Sequence, residues 1–228
     1  MVHGKLANSR LVLSRQARKR NITVLTDAAA DLKRIMQNAA TATTLDQLRG
    51  FEGAGAKTYF GAVGELLGEA WRFRARKRQP PPDPVNALLS YGYTLLFYNV
   101  YALLRARGLN PHVGFLHSLR SGHPALVSDL MEEFRAIIVD TVVLTLILNN
   151  RIQPEDFIHA DDAAHPCLLS GQGRKTFVSA FEQKMNDPLT HPVTGLHLDY
   201  RRCIEAQVQA LAAVVRGRQD KYMPLVLR

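Results

Sequence analysis

The run PHVGFLHSLRSGHPALVSDLMEEFRAIIVD occupies residues 111–140 and sets the architecture to expect from the rest of the chain. Asn110-Pro111 and Gly114 mark a turn that carries His117, and Ser121-Gly122-His123-Pro124 marks a second break. Beyond it Val127, Leu130, Met131, Phe134, Ile137 and Ile138 recur at helical spacing, which predicts a helix. Asp129, Glu132 and Glu133 fall on its other side, at offsets that bring carboxylates together. Two readings stay open from these residues alone. The acids are a solvated face opposite an apolar stripe, or they combine with the loop imidazole into half of a divalent-metal site. Amphipathicity places Glu133 beside the apolar stripe and Glu132 nearly opposite it, which predicts that Glu132 is the more exposed of the two.

On the N-terminal side, residues 22–40 are alanine-rich with helical periodicity. Thr44-Leu45-Asp46-Gln47 has capping-box form and opens a helix through Leu48, Tyr59, Val63, Leu66 and Leu67. Inside it, Gly50 to Thr58 nearly matches a phosphate-binding loop, but one residue too many separates Gly55 from Lys57, and no apolar strand precedes it. The nucleotide reading is therefore rejected. Glycines 50, 53 and 55 cost helix stability and imply close packing or close approach of a ligand. The helix reads as ending in Trp71 to Arg78, where five basic residues interleave with two aromatics. That end either grips a nucleic-acid backbone or is a solvated helix terminus. Prolines 80–82 and 84 make a stiff connector.

Residues 86–104 are apolar nearly all round, but Asn86, Ser90, Gly92, Thr94 and Asn99 interrupt them. This predicts a central buried helix and no membrane span. Residues 5–20 are polar and basic, with Leu6, Leu11, Val12 and Leu13 too few for a strong core face. Residues 151–170 read as irregular and hold His159, Asp161, Asp162 and His165, a second candidate metal cluster. Two further helices follow, one led by Gly171 to Phe177 and one over residues 196–216. Strand signals are scarce, so the fold class is mainly α.

The 228 residues are enough to bury a real core, and 46% of them are hydrophobic. With 29 Lys and Arg against 20 Asp and Glu, the formal net charge is +9, which favours a polyanionic partner, nucleic acid before membrane. The two cysteines, Cys167 and Cys203, exclude a disulfide framework and a cysteine zinc site, and fit a reducing cytoplasm. Residues 1–20 lack an apolar signal core, so no secretory signal is expected.

Four stretches in order, LRGFEGAGAKTYF (48–60), RKRQPPPDPVNALLSYGYTLL (76–96), GFLHSLRSGHPALVSDLMEEFR (114–135) and GRKTFVSAFEQKM (173–185), resemble the CRISPR-associated integrase–endonuclease of spacer acquisition. The resemblance covers the chain from about residue 5 onward. It implies a helical catalytic domain over residues 43–228, preceded by a connecting segment and leading helices over residues 1–42. The family's N-terminal β domain is not in this reading, so a fragment, part of a fusion and a shortened member all fit. The resemblance implies one Mg²⁺ or Mn²⁺ held by Glu52, His117 and Glu132, with Asp129 as an auxiliary acid; spacing alone leaves Glu132 and Glu133 equal. It implies a DNA 3′-hydroxyl attacking a phosphodiester, joining spacer precursors to the CRISPR repeat. Implied partners are a second copy of the chain, the second, smaller adaptation protein, and a fused or associated reverse transcriptase or nuclease. Arg76, Lys77, Arg78, Arg174 and Lys175 are the candidates for holding phosphates. A sequence-nonspecific metal nuclease and a non-catalytic DNA-binding assembly module are the competing readings.

Overall fold

The computed structural model describes residues 1–78, 80–118, 120–158 and 167–227; the His159, Asp161, Asp162 and His165 cluster lies outside them. Eight helices dominate: α1 (Val2–Arg20), α2 (Thr23–Ala39), α3 (Leu45–Leu67), α4 (Pro84–Ala106), α5 (Ala125–Arg135), α6 (Thr141–Leu148), α7 (Gly171–Met185) and α8 (Tyr200–Val215). Two short antiparallel pairs complete the described residues: β1 (Phe157–Ile158) with β2 (Leu168–Leu169), and β3 (Pro188–Thr190) with β4 (His197–Asp199). The mainly α expectation holds.

Helix α1 departs from its sequence reading. Val2, Leu6, Val12 and Leu13 are all buried, and the helix packs on α2, α3 and α5. Asn21, at φ 54°, ends it in the left-handed conformation that asparagine tolerates. Helix α3 starts at Thr44, whose side chain accepts Gln47 N at 3.2 Å, while Gln47 Oε1 accepts Thr43 N at 2.9 Å. The reciprocal arm thus lands one residue before its capping-box position. The helix closes at Leu67 and does not run on through Arg78. Gly68 adopts φ 71°, ψ −179°, a region only glycine enters freely, and residues 72–78 leave as an irregular strap.

Asn86 fixes that strap. It is wholly buried at the start of α4; its Nδ2 donates to Ala75 O at 2.9 Å, and its Oδ1 accepts Lys77 N at 2.8 Å and Arg76 at 2.9 Å. Asp83 caps the helix by accepting Asn86 N at 2.8 Å, and Pro84 sits at its first position. Helix α4 is long and apolar enough to cross a membrane, yet Leu88, Leu96, Val100 and Leu104 are buried in the protein's own core while Tyr98 is exposed.

Helix α5 runs through the middle of the molecule and meets α1 and α4. It continues into α6 through one wide π turn, Ala136–Asp140. Thr141 Oγ1 donates to Ala136 O at 2.9 Å, relieving a carbonyl loosened by the wider turn. The turn delivers Asp140 to Tyr93 on α4, whose hydroxyl donates to Asp140 Oδ1 at 2.7 Å. Burial outweighs that bond and the nearby arginines and pushes the Asp140 carboxyl up to about 6.

Two outcomes follow from this packing. A Cβ on Gly92 would lie 2.5 Å from Val139 Cγ1 and 2.8 Å from Phe177 Cζ. Gly92→Ala therefore destabilises by about 1–3 kcal/mol through overpacking, read as a lower Tm. A raised Tm, as expected from helix propensity on an open surface, would sink this packing. The folded state also holds the Asp140 proton more tightly than the unfolded chain does, so this group's contribution is most favourable below its ordinary value of 3.8 and erodes as pH climbs to about 6. The whole window is worth on the order of 3 kcal/mol. Asp140→Asn removes that part of the slope, seen by comparing melts of the two proteins between pH 4 and 6.5 (roughly the window itself).

Candidate active site

Asp129, Glu132 and Glu133 are 0%, 1% and 0% exposed, which overturns both the solvated-face reading and the expectation that Glu132 is the more exposed. Each is buried by a different element. Asp129 holds the loop that bears His117. It accepts the backbone N–H groups of Phe115, Leu116 and His117 at 2.5–3.0 Å, and His117 Nδ1 stands 2.6 Å from Asp129 Oδ1. Burial raises the Asp129 pKa, but these donors outweigh it and hold the carboxyl below its ordinary value. The loop can come this close only because residue 114 is glycine: a Cβ there would lie 2.8 Å from both Ala125 Cβ and Asp129 Oδ2. From the other side Arg49 of α3 grips the same loop, with Nε and a terminal nitrogen donating to Leu116 O at 2.9 and 2.7 Å. Helix α3, which carries Glu52, and the His117 loop are thereby one unit.

With His117 Nδ1 committed to Asp129, Nε2 faces Glu132, 3.9 Å from its Oε1. Arg135 pairs with the same oxygen at 3.3 Å. Glu132 Oε2 has the Lys5 ammonium 2.7 Å away as its partner. That ammonium also pairs with Glu52 Oε1. Burial works to raise the Glu132 pKa, but Arg135, Lys5 and His117 together draw it down to about 2. Glu133, one residue on, has the opposite fate. It accepts from Tyr222 Oη, from Gln207 at 3.3 Å and from Leu225 N at 2.8 Å, and burial leaves it at about 7. Its role is to hold the C-terminal segment and α8 against α5.

Glu52, His117 and Glu132 thus converge, with Asp129 behind the imidazole. Among the described residues, no three His, Cys, Asp or Glu side chains share a ready-made ligating arrangement; an ammonium bridges Glu52 and Glu132 instead. The donors nonetheless fit a hard divalent ion. Two carboxylates and an imidazole with a free Nε2 suit Mg²⁺ or Mn²⁺, and the buried Glu132 Oε2 has a mobile ammonium as its partner and no fixed donor.

The carboxylates open onto a cavity of about 540 Å³ walled by Lys57, Arg74, Arg76, Arg78, Tyr59, Tyr93 and Asp140. Of the five cations expected to hold phosphates, Arg76 is tied down, bonded to Asn86 and to Ser90 Oγ at 3.1 Å and lying over the Tyr93 ring. Lys77 and Arg78 are exposed on the strap, and Arg174 and Lys175 are exposed on the first turn of α7. Arg78 and Arg174 border grooves that share Ser90 and Thr94, so both groups flank one side of α4. Sequence reasoning missed Lys5, Arg49, Lys57, Arg74 and Arg135. Lys5 had a signal: it stands at helical spacing with Val2, Ser9 and Val12, a lysine on a buried stripe.

Residues 1–183 match the family model described as CRISPR associated protein Cas1. A CRISPR-associated endonuclease Cas1 of Thermus thermophilus is 41% identical over 197 residues, covering 86% of this chain and 58% of that protein. A Cas4/Cas1 fusion of Geobacter sulfurreducens is 37% identical, over 98% of this chain and 41% of the fusion. Among solved structures, a chain of a partial Cas6–RT–Cas1–Cas2 complex superposes with TM-score 0.86 at 27% identity, over all of this chain and 67% of that one. A casposase bound to integration product superposes with TM-score 0.82 at 25% identity, over 96% of this chain and 60% of that one. The chain therefore spans about three fifths of the Thermus relative and of the casposase. On the strength of the family match along four fifths of its length, and of a helical scaffold shared with these structures, the chain belongs to the Cas1 family.

Proposed function

We propose that this chain carries the catalytic centre for joining DNA in CRISPR adaptation, a metal-dependent transesterification in which a DNA 3′-hydroxyl attacks a phosphodiester. The observation that carries the reading is that Glu52 and Glu132 share one ammonium on the wall of a basic cavity, with His117 Nε2 3.9 Å from Glu132 Oε1. Glu52, His117 and Glu132 would hold Mg²⁺ or Mn²⁺, which when bound supplies Lewis acidity at the phosphate and a more acidic attacking hydroxyl. The protein's own part is placement and charge. Asp129 fixes the imidazole tautomer, and Arg135 with Lys5 keeps Glu132 ionised. Lys57, Arg74, Lys77 and Arg78 draw the phosphodiester backbone toward the carboxylates without reading its sequence. Proposed partners are DNA spacer precursors and the repeat, a second copy of this chain, and the second, smaller adaptation protein. The casposase bound to integration product supports DNA, the Cas6–RT–Cas1–Cas2 complex supports the smaller adaptation protein and an associated reverse transcriptase, and the Cas4/Cas1 fusion supports an associated nuclease.

Glu132→Gln keeps the side-chain volume and removes the charge that Lys5 and Arg135 neutralise. It is expected to fold, by circular dichroism, and to form no joined product with Mn²⁺, a labelled 3′-hydroxyl duplex and a repeat-containing target. Full activity in this variant would remove Glu132 from the site. Wild-type protein that yields cut but never joined strands would establish the nonspecific nuclease reading in its place.

Affinity for DNA is expected to fall with salt by roughly 0.9 log unit per log unit of salt for each phosphate neutralised. Replacing exposed Lys77 and Arg78 together with alanine lowers that slope by about 1.8. Arg76→Ala, by contrast, acts mainly on stability, since Arg76 is bound to Asn86 and Ser90. An unchanged slope in the double variant would make the strap an ordinary solvated surface.

A further inference from the structure

Lys5 is placed where a solvated lysine would not be. Its side chain is 13% exposed, and its ammonium pairs with Glu52 Oε1 and Glu132 Oε2, the two carboxylates proposed to hold the divalent ion. The backbone on both sides of it is immobilised. Gly4 packs so closely that a Cβ there would lie 3.1 Å from Glu133 Cβ and 3.0 Å from Pro224 Cβ. Leu6 Cδ2 would be 2.2 Å from a Cβ on Gly55, so Leu6 of α1 is seated directly against the α3 backbone. Asn8 donates to Glu133 O at 2.7 Å and to Leu225 O at 2.8 Å, and accepts Leu227 N at 3.0 Å. Helix α1 therefore cannot retreat from the carboxylates, and the lysine side chain is the part able to move. It borders the same 540 Å³ cavity as Lys57, Arg74 and Arg78, where an anionic backbone would be drawn.

We propose that Lys5 competes with the divalent ion for Glu52 and Glu132, and that DNA relieves the competition by giving the displaced ammonium a phosphate. Arg135 already pairs with Glu132, and a divalent ion added to the ammonium on these two carboxylates would leave the cluster with excess positive charge and strong repulsion. Loading the ion obliges the ammonium to turn into the cavity, where it faces other cations until a phosphate neutralises them. Metal and DNA then bind with reciprocal, positive coupling, and Lys5 is the positioning residue that transmits it. The chain is thereby kept poorly charged with metal until its substrate is present. This rests on the metal-site reading of the proposed function.

The coupling is read by titrating Mn²⁺, followed by electron paramagnetic resonance of the free ion, with and without a short duplex, at fixed salt. Wild-type protein is expected to bind Mn²⁺ about tenfold more tightly in saturating DNA. Lys5→Met, with Lys5→Gln as the polar alternative, is expected to bind Mn²⁺ about tenfold more tightly than wild type without DNA, and to lose most of the DNA effect. Wild-type affinity in the variants, or undiminished coupling, overturns the proposal. A measurement on the unmodified protein stands independently of how the variants fold. Acetylation of Lys5 by an activated ester, read by mass spectrometry, is expected to rise on adding Mn²⁺ alone and to fall again on adding DNA. Labelling that ignores Mn²⁺ also overturns it. Glu132→Gln separates the two levels: if it binds Mn²⁺ as wild type does, the metal site itself is misplaced.

Discussion

The structure depends on one constraint: three carboxylates on an eleven-residue helix are taken out of water, and none can be left without a partner. An unpaired buried charge costs several kcal/mol. Each carboxylate has accordingly recruited a different distant segment. Asp129 collects three backbone amides and an imidazole from the loop before the helix. Glu132 collects Lys5 from α1 and Arg135 from one turn further on. Glu133 collects Tyr222 and Leu225 from the C-terminal segment and Gln207 from α8. Helix α5 is thus the place where the first, middle and last parts of the chain are joined.

The kind of partner then separates two adjacent, equally buried glutamates. Glu132 is faced by an ammonium and a guanidinium and is held ionised, at about 2. Glu133 has hydrogen bonds from neutral donors only and feels the amino terminus by charge alone; together these do not overcome burial, and it sits at about 7. Pairs of carboxylates driven apart by their surroundings are how one site comes to hold groups with different roles. Here the division runs between a charged group at a cavity wall and a bonded group that holds the fold. This difference supports assigning the ligand role to Glu132, a choice that spacing left open.

Helical periodicity placed α2, the start of α3, α4 and α8, because each of these buries one recognisable stripe. It failed on α1, where four apolar residues looked insufficient; Gly4, Asn8 and Ser9 are buried there too, and no hydropathy pattern counts them as core. It failed on Glu132 because amphipathicity assumes one dry face and one wet one, while α5 is covered on every side. The end of α3 went wrong by several residues since the break is made by the conformation of Gly68, not by composition. The wide turn at Ala136–Asp140 leaves no trace in an apolar, β-branched run. Of the site, Glu52, His117 and Glu132 came from family resemblance. The Glu132–Arg135 pair was legible as an i,i+3 spacing on one helix, whereas the pairing of Lys5 with Glu52 and Glu132 joins three helices, and spacing along a single helix shows only that Lys5 lies on a buried stripe.

The features that weaken the fold are concentrated around one cavity. Lys5, Arg135, Glu132 and Glu52 crowd charged groups onto its wall, most of them buried. Asp140, buried at the price of a raised pKa, lines it as well. The α3 glycines divide by what surrounds them. Gly64 is required by packing, since a Cβ would lie 2.9 Å from Phe73 O, and Gly55 is packed against the Leu6 side chain. Gly50, Gly53 and Gly61 meet nothing, although each weakens the helix by about 1 kcal/mol relative to alanine. Gly53 follows Glu52 directly, and Gly61 is on the cavity wall. Away from the cavity the buried polar groups Asn8, Asn86 and Glu133 are bonded to several partners each. A raised carboxyl, a shared ammonium and an unpacked glycine on the wall of one basic, carboxylate-bearing cavity support the proposal that an anionic ligand binds there.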